Sequence, residues 1–167
     1  KIIEKDIGLS IKIMKLAKQY RTRTMPDFGS LREVLMLFGL KRVQSWATMI
    51  SMTSLDDVLP EVFNLARLRA IFMRNVAQKE ELPSIDSYYL AGLFSMMDVI
   101  VGQNLQDALE EIPLNESIKN GLLKGDGEYG RLLQAAKSFE MHDADQHQDY
   151  ALIYLEALKE VNSLTNI

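Results

Sequence analysis

Side chains that could hold a metal ion are scarce in this sequence. His142 and His147 are its only histidines and cysteine is absent, which excludes a zinc finger, a Cys-ligated iron–sulfur cluster and a disulfide framework. Metal-binding histidine pairs on helices usually occupy positions i and i+4, whereas these two lie five residues apart in a polar, acidic segment. We therefore interpret this segment as an exposed loop that leads into a helix N-cap, and we expect no metal or other cofactor.

A single carboxylate, Asp98, lies inside the most apolar stretch of the chain, residues 88–101. These 14 residues are too few to span a membrane, which takes about 20, so the stretch predicts a buried core helix. A buried charge needs a partner, because an unpaired one is costly inside a protein. We favour an ion pair or hydrogen bond with Arg67 or Arg69 that fixes helix packing. A catalytic or ligand-binding acid is the alternative.

Motifs of the common nucleotide-binding and hydrolase families are missing. The sequence has no phosphate-binding G-x-x-x-x-G-K-[ST] loop, no G-x-S-x-G elbow and no cysteine nucleophile. Gly125, Gly127 and Gly130 are interpreted as a mobile turn, since they lack the strand and helix of a dinucleotide site. No signal peptide or membrane span is recognisable, so we expect a cytoplasmic location.

Positive charge is concentrated in the first half of the chain. Residues 1–79 carry a net charge of +7 and residues 80–167 carry −11. We favour two solvated surfaces that partly attract one another, with an anionic partner as the alternative. Few aromatic residues accompany the basic ones, so no nucleic acid is expected. The candidate interaction surface comprises seven basic residues: Lys12, Lys15, Lys18, Arg21, Arg23, Arg67 and Arg74.

The elements that position these residues are predicted to be helices throughout. Apolar residues recur at helical spacing, and no stretch alternates long enough to predict a strand. Ser30 and Glu33 form the S-x-x-E pattern of a capping box, and we expect Asn104 and Asn115 to cap two later helices. Because the helices are short and unequal, we expect one all-α domain over residues 1–167, an orthogonal multi-helix bundle. The predicted helices cover residues 6–20, 30–39, 40–52, 60–78, 84–102, 104–112, 115–125, 131–139 and 145 onward.

Five segments carry a resemblance to one protein family. They start at residues 4, 30, 90, 111 and 125 and read EKDIGLSIKIMKLA, SLREVLMLFGL, LAGLFSMMDVI, EIPLNESIK and GDGEYG. Their sequences and order resemble the HDOD domain, the HD-related output domain, and most of all the HDOD domains that follow EAL domains in bacterial signalling proteins. The resemblance covers nearly the whole chain and implies a fold related to the HD-domain phosphohydrolases.

The resemblance fails at the residues that would hold a metal. Aligning the GLF at Gly92 with the G-L-L of the family places Ser95 where the metal-binding histidine would be and Met96 where its aspartate would be. A hydroxyl and a thioether are poor ligands for a hard divalent cation. The preceding predicted helix contains no histidine either. We name Ser95, Met96 and Asp98 the degenerate HD position, and we expect the chain not to be an enzyme.

The resemblance implies a non-catalytic output or scaffolding domain of signal transduction. Such a domain would act through protein–protein or interdomain contacts, on an upstream EAL-type domain or on another signalling protein, in cyclic di-GMP signalling. Two alternatives stay open: a divergent metal-dependent phosphohydrolase or phosphodiesterase that uses Asp98, and a small-ligand sensor in the cleft at the degenerate HD position. Because the chain starts with Lys1, we expect a fragment that lacks the first helices of the domain.

Overall fold

The computed structural model describes residues 6–22, 24–51 and 60–165. Within these ranges the chain is all-α, as predicted, and its one element of β type is an isolated bridge between Phe28 and Leu114. A 3-10 helix, Asp145–Tyr150, precedes the last α-helix. None of the described helices is long and apolar enough to cross a membrane. The α-helices are α1 (Ile7–Tyr20), α2 (Leu31–Phe38), α3 (Leu40–Ser51), α4 (Pro60–Lys79), α5 (Ile85–Phe94), α6 (Met97–Val101), α7 (Leu105–Glu110), α8 (Glu116–Lys124), α9 (Gly127–Glu140) and α10 (Ala151–Thr165).

Local capping interactions set the starts of several helices, as the sequence predicts. The N–H of Glu33 donates to the hydroxyl of Ser30 at 3.3 Å, and the carboxylate of Glu33 accepts from the N–H of Gly29 at 2.8 Å. Asn104 accepts from the N–H of Asp107 at 2.9 Å, and Asn115 caps α8 in the same manner. Because each cap satisfies N–H groups that have no partner inside the helix, the chain can enter α2, α7 and α8 directly from short loops.

The centre of the bundle is the contact between α4 and α5. One face of α4 is fully buried, including Ala70, Phe72 and Met73. Gly92 lies where α5 crosses this face, and a Cβ atom there would lie 2.6 Å from the backbone carbonyl carbon of Arg69. The two backbones therefore approach so closely that only a glycine fits on α5. This contact fixes the position of the C-terminal end of α5 relative to α4.

The apolar stretch of residues 88–101 is interrupted, although the sequence predicts one helix. α5 ends at Phe94, and Ser95 and Met96 form a turn before α6 begins. Both the N–H and the hydroxyl of Ser95 donate to the carbonyl of Gly92, at 3.3 Å and 2.8 Å. In a continued helix, the carbonyl of Gly92 would accept a hydrogen bond from the N–H of Met96. Because Ser95 occupies this carbonyl instead, the helix ends there. Gly102 closes α6 with a positive φ of 70°, as predicted.

The glycine-rich segment belongs largely to a tight helix pair. α9 already begins at Gly127, not at Arg131, so the predicted mobile turn shrinks to a short connection around Gly125. A Cβ atom on Gly130 would lie 2.6 Å from the Cα of Gly125, and one on Gly121 would lie 2.9 Å from the N of Gly130. The glycines are therefore needed for close approach of α8 and α9, which periodicity alone does not reveal.

The end of the chain also differs from the prediction. The segment that was expected to start the last helix is the 3-10 helix, and α10 begins at Ala151. The apolar spacing of the last helix predicts an inward face of Ala151, Tyr154, Leu155, Leu158 and Val161. Val161 is buried, and Tyr154 and Leu158 pack partly buried against the core, but Leu155 is exposed. The prediction is therefore wrong at Leu155, while the predicted face is the one that packs.

We expect the Gly92→Ala variant to be strongly destabilised, because its methyl group has no space against the backbone of α4. Overpacking of this kind costs about 1–3 kcal/mol of unfolding free energy or more. The control is Gly102→Ala, where a Cβ would meet nothing within 4 Å and only the positive φ is unfavourable. Urea denaturation followed by circular dichroism measures both. Equal losses in the two variants would contradict the close approach.

Candidate functional site

A buried arginine on α4 organises the degenerate HD position. The side chain of Arg69 is nearly excluded from solvent, with only 7% of the residue exposed. Its Nε and Nη2 atoms donate to the two carboxylate oxygens of Glu140 at 2.8 Å and 2.7 Å. This bidentate geometry is the strongest arrangement of a guanidinium with a carboxylate. Because Glu140 ends α9, the pair joins two helices that are far apart in the sequence.

The remaining nitrogen of the same guanidinium faces Ser95. Nη1 of Arg69 donates to the Ser95 hydroxyl at 3.2 Å. The hydroxyl in turn donates to the carbonyl of Gly92 at 2.8 Å, so both of its hydrogen-bonding functions are used. A fixed positive charge therefore lies beside the residue that the sequence alignment places at the metal-binding histidine. A divalent cation bound there would be repelled by this charge in a poorly hydrated environment.

The other two residues of the degenerate HD position lie nearer the surface. Met96 is half-buried and packs against the core. Asp98 is also half-buried, and its main-chain carbonyl accepts from the N–H groups of Gly102 and Gln103 at 2.9 Å and 3.2 Å. Of the two predicted partners of Asp98, Arg69 is wrong, because its guanidinium is taken up by Glu140. The pairing with Arg67 stays a prediction. The sequence offered no signal for Glu140, which lies 71 residues from Arg69.

The two histidines lie in the segment between α9 and α10. His142 is exposed with a positive φ of 58°, and His147 is half-buried with its ring 6.2 Å from that of Tyr150. The predicted N-cap is wrong in detail, since Ala144 precedes the 3-10 helix and makes no side-chain cap. Among the residues that the structure describes, no three histidine, aspartate or glutamate side chains are grouped so as to hold a metal.

The candidate basic surface is largely engaged within the chain. Lys15 pairs with Glu111, and Lys18 donates to the carbonyl of Glu110, so α1 is joined to the end of α7. The hydrogen bond from Lys15 lowers the pKa of Glu111. The predicted attraction between the basic and acidic halves is thus seen at Lys15, whereas Lys18 contacts a main-chain carbonyl.

The other members of the basic surface differ in their surroundings. Arg21 pairs with Asp27, and Arg74 contacts Glu160 at 3.2 Å. Lys12 and Arg67 are half-buried. Arg23 lies outside the described residues.

A second polar cluster, which residue spacing does not predict, joins the end of α4 to α9 and the 3-10 helix. Arg131 pairs with both Glu80 and Glu128. Tyr150 donates its hydroxyl hydrogen to Glu80 and accepts a hydrogen bond from Arg131 at 2.9 Å. The hydrogen bond from Arg131 lowers the pKa of Glu80, while burial raises the pKa of Tyr150. The cluster fixes α9 against α4 at the end opposite to its Glu140 contact.

The sequence model of the HDOD domain family matches residues 1–125 of this chain, about three quarters of its length. The chain belongs to the HDOD domain family. The matched part contains Arg69 and Ser95, whereas Glu140 lies beyond it. The buried ion pair therefore connects the family-matched residues to the helices that follow them.

Two curated proteins are similar to this HDOD domain. One is the uncharacterized protein YuxH of Bacillus subtilis (strain 168), 26% identical over 176 residues that cover 97% of this chain and 43% of the relative. The other is the cyclic di-GMP phosphodiesterase CdgJ of Vibrio cholerae serotype O1, 24% identical over 152 residues that cover 88% of this chain and 35% of the relative. The chain thus spans less than half the length of either relative. No solved structure matches it significantly.

We expect Arg69→Ala to lower the unfolding free energy by about 3–5 kcal/mol, because it leaves Glu140 poorly solvated and without its partner. The double variant Arg69→Met with Glu140→Met should recover much of the loss, since it removes both charges and keeps apolar volume. Arg32→Ala is the control, because Arg32 and Asp86 form an exposed pair at 3.9 Å and such pairs contribute about 0–1 kcal/mol. Chemical denaturation decides, and an equal effect of the two single substitutions would refute a structural role of the buried pair.

We expect Glu80 to contribute to acid unfolding. Its pKa is lowered in the folded state, so its contribution to stability is present above the unfolded pKa of about 4.3 and is lost as pH falls through the lower folded value. Glu80→Gln should therefore flatten the decrease in melting temperature between about pH 5 and about pH 3. The adjacent and exposed Glu81→Gln is the control. Parallel curves for the wild type and Glu80→Gln would contradict this linkage.

Proposed function

We propose that this HDOD domain is a non-catalytic output or scaffolding domain that acts through protein–protein or interdomain contacts. The observation that carries the proposal is the contact between the Arg69 guanidinium and Ser95, with Glu140 holding the guanidinium in place. The resemblance to HD-domain phosphohydrolases puts the metal-binding histidine at Ser95. A guanidinium supplies positive charge there, but it has no open coordination position and cannot activate a water molecule as a metal does.

The signalling context of the proposal rests on the relatives. CdgJ is named as a cyclic di-GMP phosphodiesterase, and this chain covers 35% of it. We propose that the domain works beside an EAL-type domain, on its own chain or on another signalling protein, in cyclic di-GMP signalling. To regulate such a neighbour, the domain must bind two states of it with different affinities, because a ligand that binds both equally shifts no equilibrium.

Assays on the 167-residue chain with Mg²⁺ or Mn²⁺ test the absence of catalysis. The substrates are cyclic di-GMP and a phosphomonoester. We expect no turnover above the rate of buffer with metal, and no stoichiometric metal retained after desalting. Asp98→Asn and Asp86→Asn serve as a matched pair, since Asp86 is an exposed aspartate at the start of α5.

Turnover that is lost in Asp98→Asn and kept in Asp86→Asn would refute the proposal in favour of a divergent phosphohydrolase. A saturable rise in melting temperature with cyclic di-GMP, lost in Ser95→Ala, would favour a ligand sensor instead. Either result would assign a chemical role to the degenerate HD position.

A further inference from the structure

An exposed apolar corner forms where α2 meets α3. Met36, Leu37 and Leu40 are exposed by 72%, 43% and 60%. Gly39 ends α2 with a φ of 81°, and α3 begins at the next residue. We name Met36, Leu37 and Leu40 the α2–α3 corner. The exposure of three large, neighbouring apolar side chains to water is unfavourable, so binding of a partner that covers them would be favourable.

The corner is held in a fixed shape by aromatic packing beneath it. The ring of Phe38 lies 5.2 Å from that of Trp46 and 6.2 Å from that of Phe28. Phe28 is itself buried, and its main chain forms the bridge to Leu114. A preformed apolar surface of this kind loses little conformational entropy when it binds.

Basic residues outnumber acidic ones in the two helices that form the corner. Residues 30–51 contain three basic residues and one acidic residue, Glu33. The carboxylate of Glu33 is occupied by the N–H of Gly29 and by Ser30. Arg42 is exposed, and Arg32 is 73% exposed in its side chain although it lies 3.9 Å from Asp86. A partner of the corner should therefore combine apolar side chains with negative charge.

One face of α10 has these properties. Leu152 and Leu155 lie one turn apart and are exposed by 75% and 51%. Residues 140–163 contain six acidic residues and one lysine, Lys159, which lies one turn beyond Leu155. We name Leu152 and Leu155 the α10 face. Of the six acidic residues in this segment, Glu140 and Glu160 pair with arginines of α4. The other four are exposed: Asp143, Asp145, Asp149 and Glu156.

We propose that the α2–α3 corner of one copy of this chain docks on the α10 face of a second copy. The inference rests on the proposed function and deepens it by naming a second copy as a partner. The two surfaces are both apolar and the segments that contain them carry opposite net charge, so they are complementary in the two properties that guide association. An anionic lipid surface would explain the corner alone, because it would repel the acidic surroundings of the α10 face.

The contact pairs two different surfaces, the corner of one copy and the α10 face of another. A two-fold axis lets both pairs form within one dimer, and without such an axis association continues into a ring or a longer assembly. With only five large apolar side chains in its centre, the interface is small, and we expect a dissociation constant on the order of 100 µM.

Analytical ultracentrifugation of the 167-residue chain with two variants tests the proposal. The wild type should form dimers or larger assemblies as concentration rises. Met36→Asp and Leu152→Asp should each lower self-association at least about ten-fold. Val99→Asp is the matched control, because Val99 is 51% exposed at a different place, on α6. Unchanged melting temperatures verify that the exposed substitutions leave the fold intact.

Mixing the two variants gives the decisive result. The Met36→Asp chain keeps its α10 face and the Leu152→Asp chain keeps its corner, so an equimolar mixture should form a heterodimer and no larger assembly. A wild type that stays monomeric up to about 1 mM, or variants that do not complement each other, would overturn the proposal. So would a monomeric wild type that binds phosphatidylglycerol vesicles through Met36. None of these outcomes affects the assay of turnover and metal content, so failure of this inference is distinguishable from failure of the proposed function.

Discussion

The close approach of α4 and α5 at Gly92 is the constraint on which the rest of the structure depends. It brings the backbone of α5 against that of Arg69 and Ala70. Ser95 follows Gly92 by three residues, about one helical turn, so its hydroxyl necessarily lies beside α4. The Arg69 side chain can then reach it without leaving the core. A larger residue at Gly92 would separate the helices and remove this contact.

A buried guanidinium imposes requirements on the elements around it. Its five N–H groups must find acceptors, because each unsatisfied one is costly away from water. Ser95 provides two acceptors at the interruption between α5 and α6, its hydroxyl and its main-chain carbonyl, and Glu140 provides two at the end of α9. Glu80 and Arg131 attach the first half of α9 to the other end of α4. α9 is thereby fixed along α4 at two places, and α8 follows it through the glycine contacts of their hairpin.

Much of the fold could be predicted because its signals are local. The capping groups of Ser30, Asn104 and Asn115 act on N–H groups within three residues, so a short stretch of sequence contains both partners. The interruption at Ser95 and the partner of Arg69 could not be predicted in this way. The first is a choice between two local hydrogen-bond patterns, since a serine hydroxyl is compatible with a continuous helix as well as with the turn that forms here. The second depends on a carboxylate 71 residues away, which only the assembled bundle brings near.

The distribution of charge follows the same logic. The lysines of α1 resemble a binding surface in the sequence, yet Lys15 and Lys18 contact the end of α7 and contribute to the internal packing of the domain. Charges that neutralise one another within a chain are poor determinants of partner choice, since their free energy is already gained in the monomer. Partner choice then depends on surfaces where apolar side chains remain exposed beside an excess of one sign of charge. In the described part of this chain, the α2–α3 corner and the α10 face combine these two properties with opposite sign.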